Sequence, residues 1–187
     1  HHLYLRPTGR FRGHVPGRII DIAALDAALT GPDVLFGLDL GTKTIGVALS
    51  DLGRRMAAPL ALINRRKFSL DVAELKRLAD EHKPAAIIIG LPLNMDGSEG
   101  PRAQSTRSFV RNLLPLIEIP VVFWDERLST VAVTRTLLEA DTSRRKRGEL
   151  VDKMAAAFIL QGVLDRLERI AQDREDAAGD GAGDSGG

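Results

Sequence analysis

The chain has 187 residues, 44% hydrophobic and 27% charged, the composition of one soluble globular domain. It has no cysteine, which excludes a disulfide framework, a zinc ribbon and thiol chemistry. Its longest apolar stretch, Ala85 to Leu93 with Gly90 and Pro92 inside it, is too short to span a bilayer. No signal-peptide pattern opens the chain, so a cytoplasmic protein without membrane partners is expected.

The net charge of +1 is unevenly spread. Residues 1–18 carry four Arg and no acid, residues 173–187 carry five acids against one Arg, and Lys43 to Lys67 holds six basic residues against Asp51 alone. Such concentrations form either a solvated face or a phosphate-binding surface. Aromatic residues at 4% argue against a protein that grips single strands mainly by stacking bases on rings.

In chain order, residues 1–18 are Arg-, Gly- and Pro-rich without a period and are expected to be a tag or disordered leader. Ile19 to Leu29 has the apolar spacing of a short helix or docking segment. A single domain is expected over residues 19–172, followed by a disordered acidic tail over 173–187, too polar to pack. Val34 to Leu40 and Thr44 to Leu49 read as a β-hairpin around Gly41-Thr42-Lys43. Ala57 to Ile63 is a third strand, confined by Pro59 to an edge or a bulge. Val72, Leu75, Leu78 and Ala79 have helical spacing, stopped at Lys83-Pro84. The continuous Ile-rich run from Ala85 to Leu91 suits a parallel strand covered on both faces. A helix follows from Pro101 through Leu114, then a strand from Val121 to Trp124. Ser129 or Thr130 can cap a helix containing Val131, Val133, Leu137 and Leu138. A long helix from about Glu149 to Ile170 closes the domain. This order describes a mixed sheet with helices on its faces.

Three carboxylates stand in expensive places. Period two along the first strand puts Gly37, Asp39 and Gly41 on one face and Phe36, Leu38 and Leu40 on the other. Asp39 therefore has open space above it for a ligand or a metal, or else it bonds amides of the tight turn that follows. Glu126 comes just after the Val121 to Trp124 strand, where functional residues of open α/β sheets collect; its bland alternative is a solvated pair with Arg127. Asp152 has Ala155, Ala156 and Ile159 at i+3, i+4 and i+7, the buried stripe of the last helix. Trp124 reads as core rather than as a base-stacking ring.

Acids from a strand, a loop and a helix suit hard oxygen-ligand metals such as magnesium, with manganese as the substitute. Two such ions about 3.5–4 Å apart can drive phosphodiester cleavage. None of the four His lies among these acids, which disfavours zinc. Around the acids, Lys43, Arg65, Arg66 and Lys67 form one basic group. Asn94 lies in a turn-rich loop, and Arg102 and Gln104 open the helix after it, where amides attract phosphate. Arg127 and the run Arg144, Arg145, Lys146 and Arg147 complete a candidate nucleic-acid-binding set.

Four segments then carry a resemblance. Leu38-Asp39-Leu40-Gly41-Thr42-Lys43-Thr44-Ile45-Gly46-Val47-Ala48 resembles the opening motif of the YqgF family, also called RuvX, of RNase H-like nucleases. Gly90-Leu91-Pro92-Leu93-Asn94-Met95-Asp96-Gly97 resembles its middle motif. Asp125-Glu126-Arg127-Leu128-Ser129-Thr130 and Val151-Asp152-Lys153-Met154-Ala155-Ala156 resemble its last two. The resemblance implies an RNase H-like fold, with a mixed five-stranded sheet of order 3-2-1-4-5 flanked by helices. It assigns Asp39, Glu126 and Asp152 to an acidic, catalytic metal site. It also implies a metal-dependent nuclease in 5′-end maturation of 16S ribosomal RNA precursor, with ribosomal particles as further partners. A Holliday junction resolvase acting on branched DNA is the alternative, and a non-catalytic nucleic-acid-binding factor the second. A monomer suffices to process one RNA end, whereas a junction favours a weak homodimer with two sites. Asp-Leu-Gly-Thr after a strand also resembles the phosphate loop of actin-like and sugar-kinase ATPases, but this chain is too short for their second lobe.

Overall fold

The computed structural model describes residues 16–128 and 144–181, with side chains described for 16–128 and 153–181. Five strands, β1 (Phe36–Leu40), β2 (Thr44–Ser50), β3 (Ala57–Asn64), β4 (Ile87–Leu91) and β5 (Val121–Asp125), form one sheet. Its order is β3-β2-β1-β4-β5, as expected of the RNase H-like fold. β1 pairs antiparallel with β2 and parallel with β4, and β4 pairs parallel with β5. The carboxyl ends of β1, β4 and β5 therefore share one edge of the sheet. Among the described residues four helices cover it: α1 (Ile22–Ala28), α2 (Phe68–His82), α3 (Pro101–Leu113) and α4 (Arg144–Gly181).

Local chemistry sets the ends of these elements. The Asp21 carboxylate accepts the Ala24 amide and caps α1. Lys83, at φ 53°, closes α2 by donating its amide to the Ala79 carbonyl, and Pro84 prevents continuation. Pro101 opens α3 where its missing N–H costs nothing. Pro59 lies on edge strand β3, where the register slips between Val47 and Ala48 of β2, so no ladder bond is lost to it.

Strand alternation builds two cores. Phe36, Leu38, Leu40, Ile45, Val47, Ile87, Ile89 and Val121 meet α2 and α3. On the opposite face Ala48, Ile88, Val122 and Trp124 meet α1 and α4.

Two details differ from the expectations drawn from sequence. Ile19 bridges Val121, Ile20 donates to the Val121 carbonyl, and Val121 donates to the Arg18 carbonyl. The end of the expected leader thus runs beside β5 and pairs part of an open strand edge, a role that depends on backbone and not on side-chain period. α4 is longer than expected at both ends and continues through residues 173–181. Their polarity keeps residues 171–181 exposed, yet Ala, Arg, Gln and Glu still support a helix, and Arg174 pairs with Asp26 of α1. The helix expected around Val131 to Leu138 lies outside the described residues, as do 1–15 and 182–187. Among the described residues, no helix is long and apolar enough to cross a membrane.

Candidate functional site

The face of β1 that carries Gly37 and Asp39 is the one α4 covers. A Cβ on Gly37 would stand 2.7 Å from the Leu160 Cβ and 2.8 Å from the Ala156 carbonyl oxygen, so helix and strand backbones are nearly in contact there. Gln161 fixes the direction of α4, accepting the Ala57 amide at 2.9 Å and donating to the Arg55 carbonyl at 3.0 Å. Those partners lie near the amino end of β1, because Ala58 pairs with Leu49 and Leu49 with Phe36. From Gln161 back through Ala156, α4 therefore runs toward the carboxyl end of β1. Asp152 belongs to α4, one turn before Ala156; its side chain lies outside the described residues.

Asp39 is 6% exposed. Its partner on β2 is Gly46, and one residue beyond the Leu38–Ile89 pair on β4 comes Gly90. The carboxylate thus stands between two strands whose neighbouring residues lack side chains. Glu126, 9% exposed, opens the 3₁₀ turn Glu126–Leu128 after β5. Its carboxylate lies over β4, with Oε1 only 2.8 Å from where a Gly90 Cβ would be. Adjacent strands are about 4.8 Å apart, so Asp39 and Glu126 are neighbours on one face. Gly90 is the residue that sequence reading passed over. Its signal was a glycine inside an Ile-rich strand, which marks a close approach.

Asp125 leaves β5 toward the other face. Its carboxylate accepts the Arg127 amide at 2.9 Å and the Arg127 guanidinium at 2.7–3.1 Å. The guanidinium hydrogen bond, foremost, holds this carboxyl below the usual aspartate range. Trp124 is only 7% exposed, and a Cβ on Gly162 would stand 3.0 Å from its Nε1, so the ring is core, as expected.

The candidate nucleic-acid-binding residues divide. Thr44 pairs with Asn64, which brings Lys43 and residues 65–67 to the same sheet end as Asp39. Lys43, Arg66, Lys67, Asn94, Arg102 and Gln104 are exposed. Arg65 is committed inward, donating to the Gly41 carbonyl at 2.7 Å and lying over the Phe109 ring. Beneath this loop, Asp71, 2% exposed, accepts the Arg66 amide at 3.0 Å. Arg127 is engaged with Asp125 and with the Met95 carbonyl. Arg144, Arg145, Lys146 and Arg147 open α4, with side chains outside the described residues.

Comparison with known proteins agrees with the motifs. A family model described as "RuvX: Holliday junction resolvase" matches residues 33–166. A protein of Methylocella silvestris named "Putative pre-16S rRNA nuclease" is 61% identical over 155 residues, covering 83% of this chain and 96% of its own. One of the same name from Rhodobacter capsulatus is 61% identical over 146 residues, covering 78% and 92%. Among solved structures, T. thermophilus RuvC in complex with Holliday junction substrate matches with a TM-score of 0.47 at 12% identity, over 73% of this chain and 96% of that one.

Proposed function

The chain belongs to the RuvX family, and from that premise we propose that it is a nuclease hydrolysing phosphodiester bonds at an acidic site of Asp39, Glu126 and Asp152. One observation carries the reading: two buried carboxylates, Asp39 and Glu126, lie side by side at the carboxyl edge of the sheet with Gly46 and Gly90 beside them. Two carboxylates so close together present the negative charge and oxygen donors that attract a hard cation. The direction of α4 supports Asp152 as the third acid. One helical turn from Ala156 advances about 5.4 Å, and two strand residues from Gly37 to Asp39 advance about 6.6 Å, both toward the same edge.

The donor set fits a divalent metal. Carboxylate oxygens are hard ligands, and the small residues around Asp39 leave room for a hydrated ion; magnesium, with manganese as its substitute, is the proposed cofactor. Held there, such ions would supply Lewis-acid polarisation of the phosphate and activation of water. Asp39 and Glu126 would hold them from a strand and a post-strand turn, with Asp152 joining from the helix. Exposed Lys43, Arg66, Lys67 and Arg102 would draw in the polyanion that the acids repel.

The names of the curated relatives support precursor 16S ribosomal RNA as the substrate; ribosomal particles in the cytoplasm are the setting proposed for it. The family description supports a second reading, a four-way DNA junction. The test incubates purified protein with magnesium and, separately, each substrate. Cleavage of the RNA alone supports the first reading and cleavage of the junction alone the second. Binding without cleavage of either leaves a nucleic-acid-binding factor. Replacing Lys43, Arg66 and Lys67 with Ala is expected to flatten the slope of log affinity against log salt by about two to three units. An unchanged slope would make this group a solvated face.

A further inference from the structure

Arg127 has the charge and exposure of a phosphate ligand, but its guanidinium already has partners. Nε donates to both oxygens of Asp125 at 3.1 Å, Nη2 to Oδ2 at 2.7 Å, and Nη1 to the Met95 carbonyl at 3.1 Å. Its backbone amide also donates to Asp125, at 2.9 Å. Gly97, at φ 87°, lies against the guanidinium, and a Cβ there would stand 3.5 Å from both terminal nitrogens.

The loop that receives this arginine is itself closed. Asn94 donates its amide to the Ser98 carbonyl, and Gly97 donates to the Asn94 carbonyl. The Asn94 side chain donates to Ser98 Oγ, while the amide and hydroxyl of Ser98 both donate to Asp96. Arg127 therefore ties a preformed ring, leaving the end of β4, to the last residue of β5. Glu126 sits between the two residues that make the tie. Gly90 packs against its carboxylate, and the tie determines where its backbone stands.

We propose that Arg127 is a positioning residue, a clasp that with Asp125 and the Met95 carbonyl holds the Glu126 turn in its working place, and that it contacts no phosphate. This rests on the nuclease reading, which gives Glu126 its role. Partners that orient metal-binding carboxylates typically change affinity or activity by about ten- to hundred-fold when removed. Misplacing a reacting group by about 1 Å costs a similar factor. A phosphate would have to compete with a bidentate carboxylate for this guanidinium.

The experiment compares wild type, Arg127→Gln, Asp125→Asn and the double variant in single-turnover cleavage with magnesium. Substrate affinity is measured across salt concentrations, and thermal melts are recorded for each protein. A clasp predicts that each single variant loses about ten- to hundred-fold in rate. Affinity and salt slope should stay as in wild type, and the double variant should be no worse than the poorer single. Wild-type rate in either single variant overturns the proposal, as does an Arg127→Gln salt slope flatter by about one unit, the signature of a lost phosphate contact. If Arg127→Gln does not fold, Arg127→Lys keeps the charge but lacks the planar fork that pairs with Asp125 and Met95 together and is expected to lose rate in the same way; wild-type rate there overturns the proposal too. Manganese affinity supplies a readout independent of turnover. Removing a nearby cation should strengthen metal binding by Coulomb's law alone, so weaker manganese binding in Arg127→Gln marks a displaced Glu126. If wild type cleaves neither RNA nor junction, the nuclease reading fails alone. The clasp is then judged on manganese: weakened binding supports it and unweakened binding overturns it.

Discussion

Toward α2 and α3 the strands present Phe36, Leu38, Leu40, Ile45, Ile87 and Ile89; toward α4 the same strands present Gly37, Asp39, Gly46, Ala48 and Gly90. The first face is filled by large side chains throughout; the second is filled by Ile88, Val122 and Trp124 over part of its area and is almost bare around Asp39. The filled face buries apolar area, worth about 25 cal/mol per Å², and holds the sheet to its two covering helices. The bare face lets the α4 backbone reach β1 at Gly37 and leaves room near the carboxyl edge for two buried acids. Alternation along a single strand thus separates stability from chemistry. A residue's neighbour in sequence tells little about its task, and its neighbour two positions away tells much.

The sharpest way to break this division is Asp39→Asn. If the bare face carries the chemistry, cleavage should fall by at least about a thousand-fold, about 4 kcal/mol of barrier. The melting temperature should hold or rise, because a repelling charge has been removed. A collapse in melting temperature with activity retained would reverse the roles of the faces. The filled face is probed by Leu38→Ala, expected to cost about 2–5 kcal/mol in urea unfolding, with the activity of the remaining folded protein near wild type.

Gly37→Ala tests the close approach itself. Its Cβ would meet helix backbone, which cannot rotate away, so a loss of about 1–3 kcal/mol is expected; a neutral result would mean that α4 stands off the sheet. At Gly90→Ala the obstructing atoms are the Ile159 Cδ1 at 2.5 Å and the Glu126 Oε1 at 2.8 Å, both ends of flexible side chains. The fold should tolerate this change with a loss of about 1 kcal/mol or less, while activity drops about ten-fold or more as Glu126 moves. The smallest effect is expected at the β2–β3 turn, far from the acids. There the amides of Met56 and Arg55 donate to Asp51 and hold its carboxyl below the ordinary value of 3.8. Its contribution is present above that value and lost as pH falls through the lower folded one. The stability gap between wild type and Asp51→Asn should therefore be small at neutral pH and close under acid.

Much of the architecture was legible because it rests on local pattern. The hairpin around Gly41, the edge position of Pro59 and the Ile-rich central strand follow from period, turn residues and the missing proline donor. The buried acid of β1 was legible for the same reason, since period two puts Gly37 and Asp39 together whatever covers them. The ends of α4 were less legible. Composition decides whether a segment can pack, and the final turns of α4 are helical without packing on the core.

What the amino-acid order determined by itself was which residue types share a face: glycines with Asp39 on one side of β1, large aliphatic residues on the other, and the acids at strand ends. What only the tertiary structure decided was which charged groups were already engaged. Arg65 and Arg127 look in sequence like Lys43 and Lys67, four basic residues of one candidate set. The fold turns Arg65 onto the Gly41 carbonyl and Phe109, and Arg127 onto Asp125 and Met95, while Lys43 and Lys67 face solvent. The physical reason is that a hydrogen bond needs a partner at about 3 Å in the right direction. The Met95 carbonyl, 32 residues before Arg127, comes within that reach only after β4 and β5 have paired.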